Sequence, residues 1–330
     1  MDKLYVVTGA AGHLGSAIIL QLIRNRQTVR ALVMPMEKHI PENAEIYFGD
    51  VRDKESIEPC FENLNGRELI IIHCAGIVSI ATKFDQMLHD VNVTGTRNVV
   101  ELCKKHHAAK LVYVSSVHAI PEKPNGTVMT EINEFSPDQV TGCYAKTKAE
   151  ATAYVLAAAK QGLNACVVHP SGIVGPYDYG RGHMTTMIID YCQRRLTSGV
   201  NGGYDFVDVR DVANGVVAAC DAGRPGECYI LSNRYFKVSE ILLMLHEITG
   251  KRKIKNFLPL WFVKATAPLA ELYYKILRQP PLFTPYSIYT LNTNALFSHQ
   301  KATHELGYTT RDMKETLSDT VSWLKEMGRI

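Results

Sequence analysis

Hydrophobic positions follow two alternating periods along the first half of the chain. Short β-branched runs occupy residues 4–8, 28–33, 44–48, 69–74, 110–115 and 165–169. Between them, apolar positions recur at helical spacing over 14–26, 56–62, 90–105 and 144–161. Strands separated by single helices require right-handed crossovers, which build a parallel sheet covered on both faces. The unbroken run Leu69-Ile70-Ile71-Ile72 fits a central strand, buried on both sides. The pattern predicts a doubly wound α/β fold.

Beyond Pro170 the alternation yields to loops marked by Gly172, Gly175, Gly180, Gly182, Gly199, Gly202 and Gly203. Helices are predicted near 184–195 and over 209–222, with a short strand at 228–231. From Val238 the chain reads as mostly helical, interrupted by Pro259, Pro268, Pro280, Pro281 and Pro285. No repeat or low-complexity linker separates the two parts. Residues 1–172 with about 204–235 are expected to build the sheet domain. Residues 173–203 and 236–330 form a smaller, mostly helical C-terminal lobe interleaved with it.

Composition narrows the class. Among 330 residues, 36 are lysine or arginine and 33 aspartate or glutamate, a net charge of +3; 46% are hydrophobic and 21% charged. That is a globular balance rather than a disordered one. It also excludes a broad basic face for nucleic acid. No apolar run reaches the roughly 18 residues of a membrane span, and a strand beginning at Leu4 leaves no room for a signal peptide. A cytoplasmic enzyme is the expectation. Cys60, Cys74, Cys103, Cys143, Cys166, Cys192, Cys220 and Cys228 are scattered without a C-x-x-C pair and read as reduced core thiols. His246-Glu247 opens like a metalloprotease motif, but Gly250 stands where its second histidine belongs, so no metal is expected.

Two motifs carry chemistry. Thr8-Gly9-Ala10-Ala11-Gly12-His13-Leu14-Gly15 lies between the first strand and the first helix. Glycines there permit a tight turn and close approach of a pyrophosphate to a helix N-terminus. A glycine-rich surface turn is the plainer alternative, and the strand–turn–helix placement favours dinucleotide binding. The second motif, Tyr144-Ala145-Lys146-Thr147-Lys148, sets a phenol and an ammonium one helical turn apart on one face. Such pairs are common on helix surfaces. Next to an oxidised nicotinamide, however, two cations would pull the tyrosine from about pH 10 toward the range useful for a general base.

The spacing G-x-x-G-x-x-G, and the order in which the motifs follow one another, resemble the extended branch of the short-chain dehydrogenase/reductase superfamily. Dihydroflavonol reductases, 3β-hydroxysteroid dehydrogenases and hopanoid-associated epimerase-like reductases are the most similar groups. The resemblance spans the chain, including Phe206–Ala213, where Asp211 reads as structural, and residues 301–308. It implies a Rossmann dinucleotide domain and a substrate-binding second lobe. Gly9, Ala11, Gly12, His13, Leu14 and Gly15 would hold the pyrophosphate, and Asp50 and Val51 would face adenine. Asp50 reads equally well as a helix cap before Ser56. Cys74, Ala75 and Gly76, with Asn92 and Ser115, would line the ribose and nicotinamide, and Pro170, Ser171 and Ile173 the strand exit opposite. Ser116 would bond the reacting oxygen, Tyr144 would exchange its proton, and Lys148 would hold the ribose and charge the phenol.

The implied reaction is hydride transfer between NAD(P) and a secondary alcohol or ketone. At the end of the second strand, Val33 and Met34 replace the carboxylate that selects NAD, and Glu37 lies past Pro35. Lys38, His39 or Arg30 could meet a 2′-phosphate, so the sequence leans slightly to NADP. Val117-His118-Ala119 stands where dehydratases carry an acidic pair. The apolar stripes 257–263 and 272–277 read most simply as core, yet the resemblance puts this region over the substrate. A steroid-like or polycyclic substrate follows. A nucleotide-sugar epimerase, using Arg181, Arg194, Arg195 or Arg224 for diphosphate, is the alternative. A non-catalytic NAD(P) sensor could dispense with Ser116, Tyr144 and Lys148, which are all retained. A homodimer through the helices around 92–105 and 144–161 is also implied.

Overall fold

A computed structural model of the chain describes residues 2–37, 39, 43–79, 84–180, 182–259, 290, 291 and 293–330. Its first six strands are β1 (Lys3–Thr8), β2 (Thr28–Val33), β3 (Glu45–Phe48), β4 (Glu68–His73), β5 (Lys110–Val114) and β6 (Ala165–Pro170). Then come β7 (Gly172–Val174), β8 (Gly199–Val200), β9 (Gly203–Asp208), β10 (Cys228–Leu231), β11 (Arg234–Lys237) and β12 (Phe257–Leu258). Seven strands form a parallel sheet in the order β10-β6-β5-β4-β1-β2-β3. The order reverses between β1 and β4, and in doubly wound sheets ligands settle in the crevice at that switch point.

Side chains of successive strand residues enter opposite layers. Ile70 and Ile72 of β4 join Tyr5, Val7 and Val112 on one face, whereas Leu69 and Ile71 join Val6, Leu111 and Tyr113 on the other. The helices, in chain order, are α1 (His13–Arg24), α2 (Lys54–Ile57), α3 (Gln86–His89), α4 (Gly95–Lys105) and α5 (Cys143–Lys160). They continue with α6 (His183–Cys192), α7 (Val209–Ala222), α8 (Val238–Thr249), α9 (Gln300–Leu306) and α10 (Met313–Glu326). Ile18 and Leu22 of α1 and Val212 and Val216 of α7 cover one face of the sheet. Val99 and Cys103 of α4 and Val155 and Leu156 of α5 cover the other.

Two predicted helices take a different form. The 56–62 segment is the short α2 followed by a 3₁₀ turn at Glu58–Phe61, because Pro59 cannot continue an α-helical ladder. The 90–105 helix starts earlier, at Gln86 under an Asp85 cap, and passes through a π turn at Asp90–Thr94 before α4. Such insertions widen one turn and frequently mark functional positions.

Beyond β6 the chain adds two smaller sheets, set among the helices expected for the second lobe. β11, β9 and β7 form a three-stranded sheet, and β12 pairs with β8. All six positions of β9 are buried, so its sequence carries no alternation to announce a strand. β9 pairs with β7 and β11, while α7 and β10 return to the main fold. Ile188 of α6, Leu245 of α8 and Leu317 and Leu324 of α10 pack around this smaller sheet. Most of the apolar stripes at 257–263 and 272–277, with Pro268, Pro280, Pro281 and Pro285, lie outside the described residues, as do Lys38 and Arg181. Among the described residues, no helix is long and apolar enough to cross a membrane. All eight cysteines are free thiols.

Candidate active site

The turn after β1 has no room for a side chain at Gly9 or Gly15. Gly9 takes φ +64°, and a Cβ there would lie 2.7 Å from Ala75 Cα; one on Gly15 would lie 2.2 Å from the Gly9 carbonyl oxygen. Gly12 occupies the N-cap of α1 without a side-chain hydrogen bond, and no acidic residue sits in the first turn. The positive end of the helix therefore remains available for an anion. Ala11 is half-buried and Leu14 is packed in the core, while the His13 imidazole bonds to Pro176 O at 2.9 Å. Across the crevice, a Cβ on Gly76 would meet Asn92 Oδ1 at 3.1 Å and Lys148 Nζ at 3.3 Å. A tight turn, an uncovered helix end and a backbone open beside an amide and an ammonium fit the phosphates and ribose of a dinucleotide.

Asp50 and Val51 lie beyond β3. The Asp50 carboxylate accepts the Arg52 N–H at 2.9 Å and its guanidinium at 2.5 Å, which holds the carboxyl below its ordinary range. The cap of α2 is Asp53, which accepts the Ser56 N–H, so the alternative role considered for Asp50 falls to its neighbour. Val51 O accepts from Asn98 Nδ2 at 2.8 Å, and half-buried Cys74 follows β4 beside Ala75. At the end of β2, Val33 is buried and Met34 exposed. Arg30 cannot serve a 2′-phosphate as the sequence allowed. It is buried with Nε on Glu45 at 2.9 Å and Nη1 on Cys60 O at 3.0 Å, because strand alternation turns it into the protein. His39 stacks on Tyr179 with ring centroids 3.4 Å apart.

Ser115 and Ser116 point to different partners, as consecutive extended residues must. Thr152 Oγ1 donates to Lys148 O at 2.7 Å, so the Ser115 hydroxyl, 2.7 Å from Thr152, donates to it and is committed to α5. Ser115 is thus left with acceptor lone pairs only, its backbone N–H donating to Val168 O at 2.8 Å. Ser116 caps a 3₁₀ turn at Val117–Ala119, its Oγ accepting the His118 N–H at 3.3 Å. Tyr144 and Lys148 stand in the first turns of α5, 7% and 4% exposed. Burial pushes the Tyr144 phenol up to about 12, and a hydrogen bond with Ser116 works in the opposite sense. Burial lowers Lys148 to about 8, and its Nζ donates to Val114 O at 2.9 Å. For the chain alone, desolvation of the phenol outweighs its hydrogen bond with Ser116. At neutral pH the pair is a phenol and an ammonium.

Pro170 ends β6, Ile173 lies in β7, and Ser171 Oγ donates to Asp205 Oδ1 at 2.5 Å. Beside Ser116, Val117, His118, Ile120, Met129, Val140 and Tyr204, together with Glu122, Gln139, Thr141, Thr293, Asn294 and Phe297, line a small cleft. His118 meets the Tyr144 ring edge-on at 5.9 Å, and its Nε2 lies 3.2 Å from the Tyr204 hydroxyl. Burial holds His118 down at about 4, hence neutral. Sequence reasoning gave no role to Tyr204, Asp205, His73 or His169, whose Nδ1–H donates to Ser116 O at 2.9 Å. Their partners come from distant segments, so no local motif marks them. Of the arginines considered for a diphosphate, Arg195 is held by Asp190 at 2.8 Å and Arg224 by Glu305 at 2.7 Å.

Comparison with known proteins agrees with this arrangement. Residues 5–232 fit the profile of the NAD dependent epimerase/dehydratase family. The chain belongs to that family. Sterol demethylase protein B of Methylococcus capsulatus is 30% identical over 98% of this chain and 99% of its own. A putative dihydroflavonol 4-reductase of Synechocystis is 29% identical over 100% and 97%. The solved structure of gox2253 superposes with a TM-score of 0.85 at 29% identity, covering both chains fully. The family match covers residues 5–232, and these relatives, one of them named for a sterol, cover the chain end to end.

Proposed function

We propose that this family member is an NAD(P)-dependent oxidoreductase interconverting a secondary alcohol and a ketone on an apolar, polycyclic substrate. The observation that carries the reading is the approach of Ser116 to the buried phenol of Tyr144, one helical turn from Lys148, whose ammonium borders Gly76. Gly9, Ala11, Gly12, His13, Leu14 and Gly15 would hold the pyrophosphate, Asp50 and Val51 the adenine end, and Gly76, Asn92 and Lys148 the ribose nearest the nicotinamide. Bound there, the nicotinamide supplies or accepts hydride.

The protein's part is proton management. With the Tyr144 phenol held near 12, it keeps its proton at neutral pH and suits donation to a carbonyl oxygen, the reductive direction. Ser116 accepts a backbone N–H from His118, which leaves its own proton for the phenol or for a substrate oxygen beside it. Val117, Ile120, Met129, Val140 and Phe297 give the cleft an apolar wall that suits a hydrocarbon body, and His118, Glu122, Gln139, Thr141, Tyr204, Thr293 and Asn294 give it a polar side for the substrate's oxygens. The sterol and the dihydroflavonol in the relatives' names agree with that choice. Val33 and Met34 at the end of β2 offer no carboxylate to ribose hydroxyls, which favours NADP. A homodimer through α4 and α5 is part of the same proposal.

Parallel titration with NADH and NADPH, then a ketone and alcohol panel with the tighter dinucleotide, tests the reading. Net change in nicotinamide absorbance is expected. A chain that epimerises a nucleotide sugar without net change, on tightly held NAD, would replace it; the engaged Arg195 and Arg224 weigh against that outcome.

A further inference from the structure

His73 ends β4 with its imidazole buried between two threonines. Thr8 Oγ1, at the end of β1, lies 2.7 Å from Nδ1, and Thr96 Oγ1, at the start of α4, lies 3.0 Å from Nε2. Each hydroxyl has a single proton, and the backbone decides where it goes. Thr96 Oγ1 donates to Asn92 O at 2.7 Å. It can therefore only accept from His73, so Nε2 carries the ring proton. Nδ1 is then a bare lone pair, and Thr8 must donate to it while accepting the Ala75 N–H at 3.1 Å. A one-way chain results, from the Ala75 N–H through Thr8, His73 and Thr96 to the Asn92 carbonyl.

The chain continues through the Asn92 side chain, in the π turn. Its Oδ1 accepts the Ile77 N–H at 2.8 Å, and its Nδ2 donates to Ile77 O and to Thr147 Oγ1, each at 3.0 Å. Thr147 Oγ1 donates to Tyr144 O at 2.8 Å. One end of this network abuts the glycine turn, and the other is fastened to the helix that bears Tyr144 and Lys148.

We propose that His73 is a positioning residue which, fixed as its neutral Nε2–H tautomer, couples the glycine turn to the helix carrying Tyr144 and Lys148. The inference rests on the dinucleotide reading of that turn. The opposite tautomer would set a ring N–H against the Thr8 proton and a lone pair against Thr96, leaving buried groups unsatisfied. A charged ring would meet the Thr8 conflict as well. Burial pushes the imidazole down to about 3, and the Lys148 ammonium acts in the same sense. The Tyr113 ring, stacked 5.6 Å away, and the Cys74 thiol are the other titratable groups beside it; burial raises both.

The test uses full-length Thr8→Val, Thr96→Val and the double variant, with NADH and NADPH affinity read by fluorescence titration. Thr96→Val lies across the imidazole from the glycine turn, yet it is expected to weaken binding roughly tenfold, the effect of one buried hydrogen bond lost. The double variant should be no weaker than the poorer single, because either change severs the same chain. His73→Gln, whose amide offers an acceptor and a donor in the same sense, should retain more affinity than His73→Leu. Unchanged affinity in Thr96→Val, or losses that simply multiply, overturns the coupling while the dinucleotide reading stands. A wild type that binds neither dinucleotide overturns that reading and the coupling with it. Two-bond proton–nitrogen spectra of ¹⁵N-histidine-labelled wild-type protein are independent of any variant's folding. They should show His73 protonated at Nε2 alone, and protonation at Nδ1 overturns the proposal.

Discussion

Replacing Lys148 by methionine removes a buried charge while keeping an unbranched side chain of similar length. The folded state lowers the lysine from 10.5 to about 8, so the ammonium is disfavoured there by about 3 kcal/mol relative to the unfolded chain. That burden is fully present below pH 8. It is relieved as pH rises toward 10.5, because the folded lysine sheds its proton while the unfolded one retains it. Lys148→Met should therefore be more stable than wild type at pH 7 by up to about 3 kcal/mol. The lost hydrogen bond to Val114 O reduces this by about 1 kcal/mol. Thermal or denaturant unfolding of both proteins, without dinucleotide, at pH 7 and pH 10 measures the difference. The gap should be open at pH 7 and narrow at pH 10, while turnover is lost at both. A variant less stable at pH 7, or a gap indifferent to pH, would refute the claim that Lys148 is held charged against desolvation for function.

Further outcomes are expected elsewhere. Gly15→Ala sets a Cβ 2.2 Å from the Gly9 carbonyl, so the turn must open; destabilisation of about 1–3 kcal/mol and loss of NADH and NADPH binding should follow. Wild-type affinity in a folded Gly15→Ala would count against the turn as the pyrophosphate site. Burial raises the Asp205 carboxyl to about 6 from 3.8, so the folded chain keeps a proton that the unfolded chain releases. Stability should fall as pH rises from about 4 to 6 on this account, and Asp205→Asn should lack that slope in denaturant titrations.

Much of the dinucleotide half was legible because its signals are local. The apolar run at Leu69–Ile72, the glycines between β1 and α1, and the four-residue spacing of Tyr144 and Lys148 each report on neighbours in sequence. The choice of Ser116 over Ser115 needed the family register, and the Thr152 partner of Ser115 supplies a physical reason. What stayed hidden depends on contacts between distant segments. β9 is buried throughout and shows no period, the π turn at Asp90–Thr94 leaves no compositional mark, and Arg30 reads as an available cation until Glu45 and the Cys60 carbonyl are seen around it. His73 is a lone histidine in a strand until Thr8 and Thr96 fix both of its nitrogens.

The most direct test of the central claim compares wild type with Tyr144→Phe. The substitution removes one hydroxyl from a buried ring and leaves the glycine turn, Asn92 and Lys148 in place. NADH and NADPH affinities should be essentially unchanged, while nicotinamide oxidation with the preferred ketone should fall by a factor of about 10² or more, as loss of a positioned general acid requires. Turnover by Tyr144→Phe at the wild-type rate would contradict the account.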